Sequence, residues 1–132
     1  EGGGVISFPS PSSGGSARGW GDGAMSETLR RVQTLVLARD YLISDHGYDE
    51  LAKDVIFPGE ALAGIATAVA VEDYPDRTRG PSVLALQHDD AGRPIHVLWG
   101  IPAGRRHPAV LVTAYRPDPE LWDGDFRKRT VP

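Results

Sequence analysis

Three side chains suited to proton transfer and phosphate binding lie on or beside two apolar runs of the chain, Ile95–Ile101 and Ala109–Tyr115. His96 lies within the first run, Arg93 precedes it, and Tyr115 ends the second. Histidine transfers protons near neutral pH, because its unperturbed pKa is close to that range. The planar guanidinium group of arginine binds two phosphate oxygens at once. These residues predict a site that handles protons and a phosphate group.

Each of the three residues also has a purely structural interpretation. A histidine inside an apolar strand is more often a satisfied core residue than a catalyst. Arg93 has acids nearby, at Asp89 and Asp90, with which it can form an ion pair. Tyr115 suits the edge of a core, where its ring is buried and its hydroxyl reaches water. Both interpretations therefore stay open for every one of these residues.

The two apolar runs are predicted to form a central β-hairpin. Both are rich in Val, Ile, Leu and aromatic residues, and both have the length of a strand. The linker Pro102–Pro108 contains a glycine and two prolines, which predicts a loop. Upstream, Ser82–His88 is predicted to be a strand that a four-residue turn, Asp89–Gly92, joins to the hairpin.

The length of that turn decides which way His96 points. A four-residue turn places His96 on the same face as Ala85 and Leu98. A slip of one residue would move His96 to the other face of the sheet, because successive strand residues alternate between faces.

The residues before these strands predict three helices. Ser26 caps a helix over Glu27–Arg39, in which apolar residues recur at helical spacing. Ser44 or Asp45 caps a second helix that runs through His46, Glu50 and Lys53, and Pro58 opens a third. The remaining elements are short strands at Tyr41–Ile43 and Ala68–Glu72 and a short terminal helix at Pro119–Trp122.

The order of these elements predicts a single α+β domain over residues 25–132. The N-terminal helices are expected to pack on one face of an antiparallel β-sheet. The chain of 132 residues is long enough for one hydrophobic core. Eight apolar residues are predicted to be largely buried in it: Leu29, Val32, Val36, Leu62, Val69, Leu84, Leu98 and Val112.

Residues 1–24 are predicted to be a flexible extension, or a remnant of expression cloning, and not part of the domain. The segment is rich in Gly, Ser and Pro, and it buries too little apolar surface to offset its chain entropy. Its one β-favouring stretch is Val5–Phe8. We expect this stretch to lie against a sheet edge or a hydrophobic groove, with an undocked extended coil as the alternative.

Several classes of protein and site are excluded or disfavoured by composition. The absence of cysteine excludes disulfides, thiolate zinc sites and a cysteine nucleophile. The chain has neither a run of about 18 apolar residues nor a signal-peptide pattern, so a cytoplasmic protein without a membrane segment is expected. The four histidines lack the spacing of a zinc site, and we expect no metal or other cofactor.

Four short motifs occur in an order that is typical of a known family. They are Ser44-Asp45-His46, Glu72-Asp73-Tyr74-Pro75, Gly-Arg-Pro-x-His-Val from Gly92, and Val-Thr-Ala-Tyr-Arg-Pro-Asp-Pro-x-x-Trp from Val112. Through these motifs, about residues 27–129 resemble the DUF4258 family of small prokaryotic proteins. Members of that family resemble RelE-like toxins of toxin–antitoxin pairs.

The resemblance implies a RelE-like fold, ribonuclease activity and an antitoxin protein as partner, often one bearing a zinc finger. A homodimer is a further option. Cleavage of RNA by its own 2′-hydroxyl needs a base, an acid and a cation beside the phosphate. The catalytic candidates are His46, Arg93, His96, Tyr115 and Glu50. The RNA-binding candidates are Arg105, Arg106, Arg116, Arg127 and Lys128, although each basic cluster also fits a solvated loop.

The sequence departs from the family pattern on the second predicted helix. Glu50 stands where the family usually has Arg, Asp54 begins the segment that is usually Arg-Gly-Ile, and Gly47 replaces Ala. Acids at these places repel a phosphate. Alternatively, Glu50 lies one turn from His46 and orients its ring or acts as the base itself. The structural alternative for His46 is a ring that caps a backbone group or packs on Tyr48.

Two functions follow from these observations. The first is a metal-independent, toxin-type endoribonuclease that cleaves single-stranded RNA, and it predicts that His46, Arg93 and Tyr115 converge on one cleft. The second is a non-catalytic protein-binding module on the same scaffold. The net charge of −4 and the lost arginines favour the second function, whereas the retained His and Tyr positions favour the first.

Overall fold

A computed structural model describes residues 18–19, 26–123 and 125–129. The helices are α1 (Glu27–Leu37), α2 (Asp45–Lys53) and α3 (Pro58–Ala63), and a 3-10 turn at Gly64–Thr67 follows α3. The strands are β1 (Arg18–Gly19), β2 (Tyr41–Ile43), β3 (Val69–Tyr74), β4 (Ser82–His88), β5 (Pro94–Gly100), β6 (Ala109–Tyr115), β7 (Trp122–Asp123) and β8 (Lys128–Arg129).

The fold is α+β, and the predicted class is confirmed. Strands β3 to β6 form an antiparallel meander, and β2 adds a parallel strand at the edge beside β6. The two-residue strand β1 pairs with the opposite edge, at β3. The strands β7 and β8 form a separate small hairpin. None of the described helices is both long enough and apolar enough to cross a membrane.

The first two helices begin where the sequence predicts, because a serine caps each of them. The Ser26 hydroxyl accepts the Leu29 N–H at 3.1 Å, and the Ser44 hydroxyl accepts the Gly47 N–H at 2.9 Å. Each serine oxygen satisfies one of the backbone donors that the first turn of a helix leaves unpaired. Both caps also reach the sheet, where Ser26 donates to Asp73 and Ser44 donates to the Val112 carbonyl.

Apolar residues cover both faces of the sheet. The helix-side core joins α1, α2, α3 and the 3-10 turn to one face of the strands, and it includes Leu29, Val32, Leu51, Ile65, Val97, Trp99 and Leu111. The open-side core lies on the other face and includes Val71, Leu84, Leu86, Leu98, Val110, Val112 and Trp122. Six of the eight residues predicted to be buried are buried, whereas Leu62 and Val69 are only half-buried.

His96 lies on the same face of the sheet as Leu98, as predicted, but Ala85 lies on the opposite face, so that part of the prediction is wrong. The Asp89 N–H donates to the Arg93 carbonyl at 2.9 Å, so the turn between β4 and β5 has three residues and not four. Gly92, at a φ of 81°, takes the left-handed conformation that such a turn needs. His96 consequently pairs with Leu86 in the open-side core, and Ala85 belongs to the helix-side core.

The predicted terminal helix at Pro119–Trp122 is absent from the described structure. A turn forms instead, in which the N–H groups of Leu121 and Trp122 both donate to the Asp118 carbonyl. Trp122 then begins β7, whose two residues pair with Arg129 and Lys128 of β8. The hairpin brings Trp122 and Phe126 onto the open-side core.

The N-terminal extension reaches the edge of the sheet at residues other than those predicted to dock there. Arg18 pairs with Asp73 and Gly19 pairs with Glu72, both on β3. The segment Val5–Phe8 lies outside the described residues, so its docking stays a prediction.

Gly47 is the site of our first prediction, because α2 passes very close to β6 there. A Cβ atom at this position would lie 2.7 Å from the Leu111 carbonyl oxygen. Gly47→Ala gains about 1 kcal/mol of helix propensity, but the clash with backbone costs roughly 1–3 kcal/mol. We therefore expect Gly47→Ala to destabilise the protein in urea unfolding, although the family that the sequence resembles usually has alanine there.

Gly59→Ala is the matched control for this measurement. A Cβ atom at Gly59, in α3, would meet nothing within 4 Å. We expect this variant to be as stable as the wild type or slightly more stable. Equal stability of the two variants would contradict the close packing of α2 on β6.

Candidate functional site

His96 is the centre of the candidate site. It is fully buried on β5, and the strand register places it directly opposite Tyr115 on β6. Its Nε2 lies 2.8 Å from the Phe126 carbonyl oxygen, and its Nδ1 lies 3.2 Å from the Tyr115 hydroxyl. A carbonyl only accepts hydrogen bonds, so Nε2 carries the proton and Nδ1 accepts from the tyrosine. The imidazole is thus held in one tautomer with the Tyr115 hydroxyl directed at it.

Aromatic rings enclose His96 on two sides. The Trp122 ring lies edge-to-face at a centroid distance of 4.4 Å, and the Tyr115 ring lies at 5.3 Å. Trp122 is buried, whereas Tyr115 is half-buried. Tyr115 is therefore the member of the His96–Tyr115 pair that a substrate can reach.

The β7–β8 hairpin supplies what sequence reasoning missed. Neither Trp122 nor Phe126 is among the candidate site residues that the sequence predicts. Phe126 has a φ of 69°, and its carbonyl anchors His96. No sequence pattern marks a single backbone oxygen as a partner, so the only available signal was the family motif that ends at Trp122.

The same hairpin carries two of the RNA-binding candidates. Arg127 and Lys128 follow Phe126 directly in the chain. The Arg127 Nε lies 3.3 Å from an oxygen of Asp125. Lys128 is exposed and forms no ion pair with the residues that the structure describes. Lys128 is consequently the more available of these two cations.

Arg93 and Arg116 meet at one buried carboxylate. The Asp89 side chain is only 2% exposed, and its Oδ2 lies 3.3 Å from Arg93 Nε and 3.0 Å from Arg116 Nη1. Its Oδ1 accepts the N–H groups of Ala91 and Arg93. The structure thus contains the ion pair between Arg93 and Asp89, which was the structural interpretation of Arg93.

Our second prediction concerns the pH dependence of this carboxylate. The Arg93 backbone N–H lowers the pKa of Asp89 below its ordinary value, and the Arg116 side chain and the Ala91 N–H add to this against the opposing effect of burial. A lowered pKa stabilises the fold above the pKa of the unfolded state, near 3.8, and this contribution is lost as the pH falls through the lower folded value.

Asp89→Asn should accordingly be less stable than the wild type at neutral pH, and the difference should shrink as the pH falls below about 4. Urea unfolding at several pH values measures this. The exposed neighbour Asp90→Asn is the control and should follow the wild type. A stability gap for Asp89→Asn that does not change with pH would refute the prediction.

Arg116 also fixes the segment after α2. Its backbone N–H donates to an Asp54 carboxylate oxygen at 2.7 Å, and its side chain donates to the carbonyls of Asp54 and Val55. Val55 has a φ of 54°, a costly conformation for a β-branched residue. Asp54 was interpreted from the sequence as an acid that opposes phosphate binding. In the structure it holds an arginine in place.

The remaining catalytic candidates lie on α2. His46 is exposed, and its ring forms no hydrogen bond or ion pair with another described residue. Glu50 pairs with Lys53 at 3.1 Å. The helix packs Leu51 into the helix-side core, whereas Tyr115 packs against the open-side core. The convergence of His46 with Arg93 and Tyr115 stays a prediction.

The last two RNA-binding candidates, Arg105 and Arg106, lie in the β5–β6 loop. Both are exposed, and Arg106 faces α1 across a groove on the helix side. The structure therefore brings Arg93, His96, Tyr115 and Arg116 to one end of the β4–β5–β6 sheet, and it places Arg105 and Arg106 elsewhere. Arg127 and Lys128 lie in the hairpin that supplies the Phe126 carbonyl to His96. Within the described part of the chain, no cluster of three His, Asp or Glu side chains is arranged to hold a metal ion.

Comparison with known proteins identifies one family. The model of a family described as "Domain of unknown function (DUF4258)" matches residues 43–116. The matched segment runs from the end of β2 to Arg116, and it contains α2 and the His96–Tyr115 pair. No curated protein and no solved structure matches the chain.

Proposed function

We propose, for a chain that belongs to the DUF4258 family, a metal-independent endoribonuclease of the toxin type that cleaves single-stranded RNA. The observation that carries this proposal is the hydrogen bond from the half-buried Tyr115 hydroxyl to the buried, single-tautomer His96. A phenol that can pass its own proton to an imidazole accepts a proton from a substrate without first becoming a free anion. Tyr115 is therefore the proposed base, and His96 is its proton acceptor.

The proposed reaction uses the 2′-hydroxyl of the RNA as nucleophile. Its proton moves to the Tyr115 oxygen as the Tyr115 proton moves to Nδ1 of His96. The 2′-oxygen bonds to the adjacent phosphorus, the bond from phosphorus to the 5′-oxygen breaks, and that oxygen takes a proton from water. The extra proton on His96 then returns through the Tyr115 hydroxyl to the hydroxide that this water leaves, which restores the pair. The ammonium group of Lys128 stabilises the negative charge that accumulates on the phosphate. The products are a 2′,3′-cyclic phosphate and a 5′-hydroxyl.

The purified full chain provides the direct test of this function. We expect it to cleave single-stranded RNA in the presence of a chelator and to leave 2′,3′-cyclic phosphate ends. Cleavage that stops on chelation, or products with 3′-hydroxyl ends, would contradict the mechanism. Intact RNA would contradict the function.

A cellular experiment tests the toxin assignment and the role of His46. Induced expression of the wild type should arrest bacterial growth and degrade RNA, as expected for a RelE-like cytoplasmic toxin whose activity an antitoxin restrains. His46→Ala shares this effect if His46 takes no part in proton transfer, which is the outcome we expect for an exposed ring without a hydrogen bond or ion pair to another described residue. If His46→Ala no longer arrests growth or degrades RNA, His46 takes part in catalysis.

The second candidate function is a non-catalytic protein-binding module. The ion pairs of Arg93 with Asp89 and of Glu50 with Lys53 favour it, because they occupy side chains that an RNA-cleaving site needs. Arg116 is likewise held by Asp89 and Asp54. Unimpaired growth and intact RNA on expression of a folded protein would support this function over the first.

A further inference from the structure

A basic groove lies between α1 and the β5–β6 loop, on the helix side of the sheet. Its volume is about 450 Å³. Five residues on successive turns of α1 and one residue of the β5–β6 loop line it: Glu27, Arg30, Arg31, Thr34, Leu35 and Arg106. Three arginines therefore face one glutamate on a chain whose net charge is −4.

The loop side of this basic groove is held by contacts at both of its ends. The Ala103 N–H donates to the Arg79 carbonyl at 3.1 Å. At the other end, His107 Nδ1 lies 3.3 Å from an oxygen of Asp40, which lies in the short segment between α1 and β2. Arg106 is thus presented to α1 by a loop that is fixed on either side.

Two of the arginines in the basic groove are available to a ligand. Arg30 pairs with Glu27 at 2.8 Å, which neutralises both side chains. Arg31 and Arg106 form no ion pair with the described residues. Leu35 also lines the groove. It packs against the helix-side core and is only partly buried, so it gives the groove an apolar contact surface. The groove consequently combines two unpaired cations with an apolar contact.

This combination fits a protein segment better than RNA. A nucleic-acid strand repeats its negative charge regularly, whereas the groove offers only two unpaired cations, Arg31 and Arg106, to such a repeat. An RNA that reaches Tyr115 lies against the opposite, open side of the sheet. Acidic side chains interleaved with apolar ones match Arg31, Arg106 and Leu35, and complementary charge speeds association and selects the partner.

We infer that the basic groove binds an acidic segment of a partner protein, with carboxylates on Arg31 and Arg106 and an apolar side chain on Leu35. The inference does not depend on the proposed ribonuclease activity, because none of these residues contacts the His96–Tyr115 pair. The surface is a docking site on the helix side of the sheet, separate from the candidate catalytic site.

Fluorescence anisotropy with the full chain tests this inference. The probe is a labelled peptide of Glu-Leu-Glu repeats, and its counterpart with Lys in place of Glu is the sequence control. We expect the acidic peptide to bind in a salt-dependent manner, and the double variant Arg31→Gln, Arg106→Gln to bind it on the order of tenfold more weakly. Lys53→Gln, an exposed cation on α2, is the matched control and should bind like the wild type.

Three results would overturn the inference: no binding of the acidic peptide, equal binding by the double variant and the wild type, or equal binding of the lysine peptide. A 2′-O-methyl RNA, which cannot be cleaved through its 2′-oxygen, serves as the competing probe. Loss of RNA binding in the double variant with no loss of peptide binding would assign the groove to nucleic acid instead. Unfolding curves for each variant establish that the substitutions leave the fold intact.

Discussion

Tyr115→Phe is expected to reduce RNA cleavage by roughly 100- to 10,000-fold, the usual contribution of a general base. The substitution removes the hydroxyl that donates to His96 and leaves the ring in place. It also leaves the buried Nδ1 of His96 without this donor, which costs about 1–3 kcal/mol of stability. Cleavage rates are measured with a single-stranded RNA under conditions in which unfolding curves show that each variant is folded. These rates separate the loss of catalysis from the loss of stability.

Tyr41→Phe is the matched control for this variant. Tyr41 is also half-buried on a strand, but it packs against the helix-side core and not on His96. We expect its cleavage rate to equal that of the wild type. A Tyr115→Phe variant that cleaves at the wild-type rate would remove Tyr115 from the mechanism.

Leu98→Ala is expected to destabilise the domain by roughly 2–5 kcal/mol, as is typical for truncating a buried leucine. Leu98 is fully buried in the open-side core, opposite Leu84 on β4 and Thr113 on β6. The substitution leaves a cavity at the centre of the sheet that its strand-bound neighbours cannot fill. Two-state unfolding in urea measures the loss.

Leu37→Ala provides the exposed counterpart to this core substitution. Leu37 ends α1 and is 68% exposed, so its truncation should change stability by less than about 0.5 kcal/mol. A loss below about 1 kcal/mol for Leu98→Ala would show that the open side of the sheet is loosely packed.

The elements set by local sequence were predictable. Ser26 and Ser44 cap helices because a side-chain oxygen and a backbone N–H three residues later meet wherever a helix starts. Strand β6 was predicted at its observed bounds, since prolines and charged residues flank an apolar run that contains β-branched residues. In these cases the determining residues lie within one turn or one strand of each other.

The facing of His96 was not predictable with the same assurance, because it depends on one residue in a turn. Asp90, Ala91 and Gly92 form the turn, and Asp89 pairs with Arg93 as the first step of the ladder. Counting Asp89 as a turn residue reverses the faces of β4 relative to β5. The side-chain contacts of Asp89, which accepts two backbone N–H groups, select the shorter turn.

The candidate site was predictable in its residue types but not in its connections. His96 and Tyr115 were identified individually, and the structure joins them through the β5–β6 register. That register follows from the loop Pro102–Pro108 and a bulge near Leu98, neither of which has a sequence rule that fixes the pairing. The Phe126 carbonyl and the contacts of Arg116 with Asp54 cross 30 and 62 residues of chain, beyond the reach of any local pattern.

The position of Phe126 in the chain sets the order in which the pair can arise during synthesis. A ribosome synthesises β5 and β6 before Phe126, which follows His96 by 30 residues. Until that residue emerges, His96 lacks the acceptor that fixes its tautomer, and Tyr115 faces an imidazole that can hold its proton on either nitrogen. In the proposed enzyme the complete arrangement of His96, Tyr115 and Phe126 therefore forms only after translation has passed Phe126.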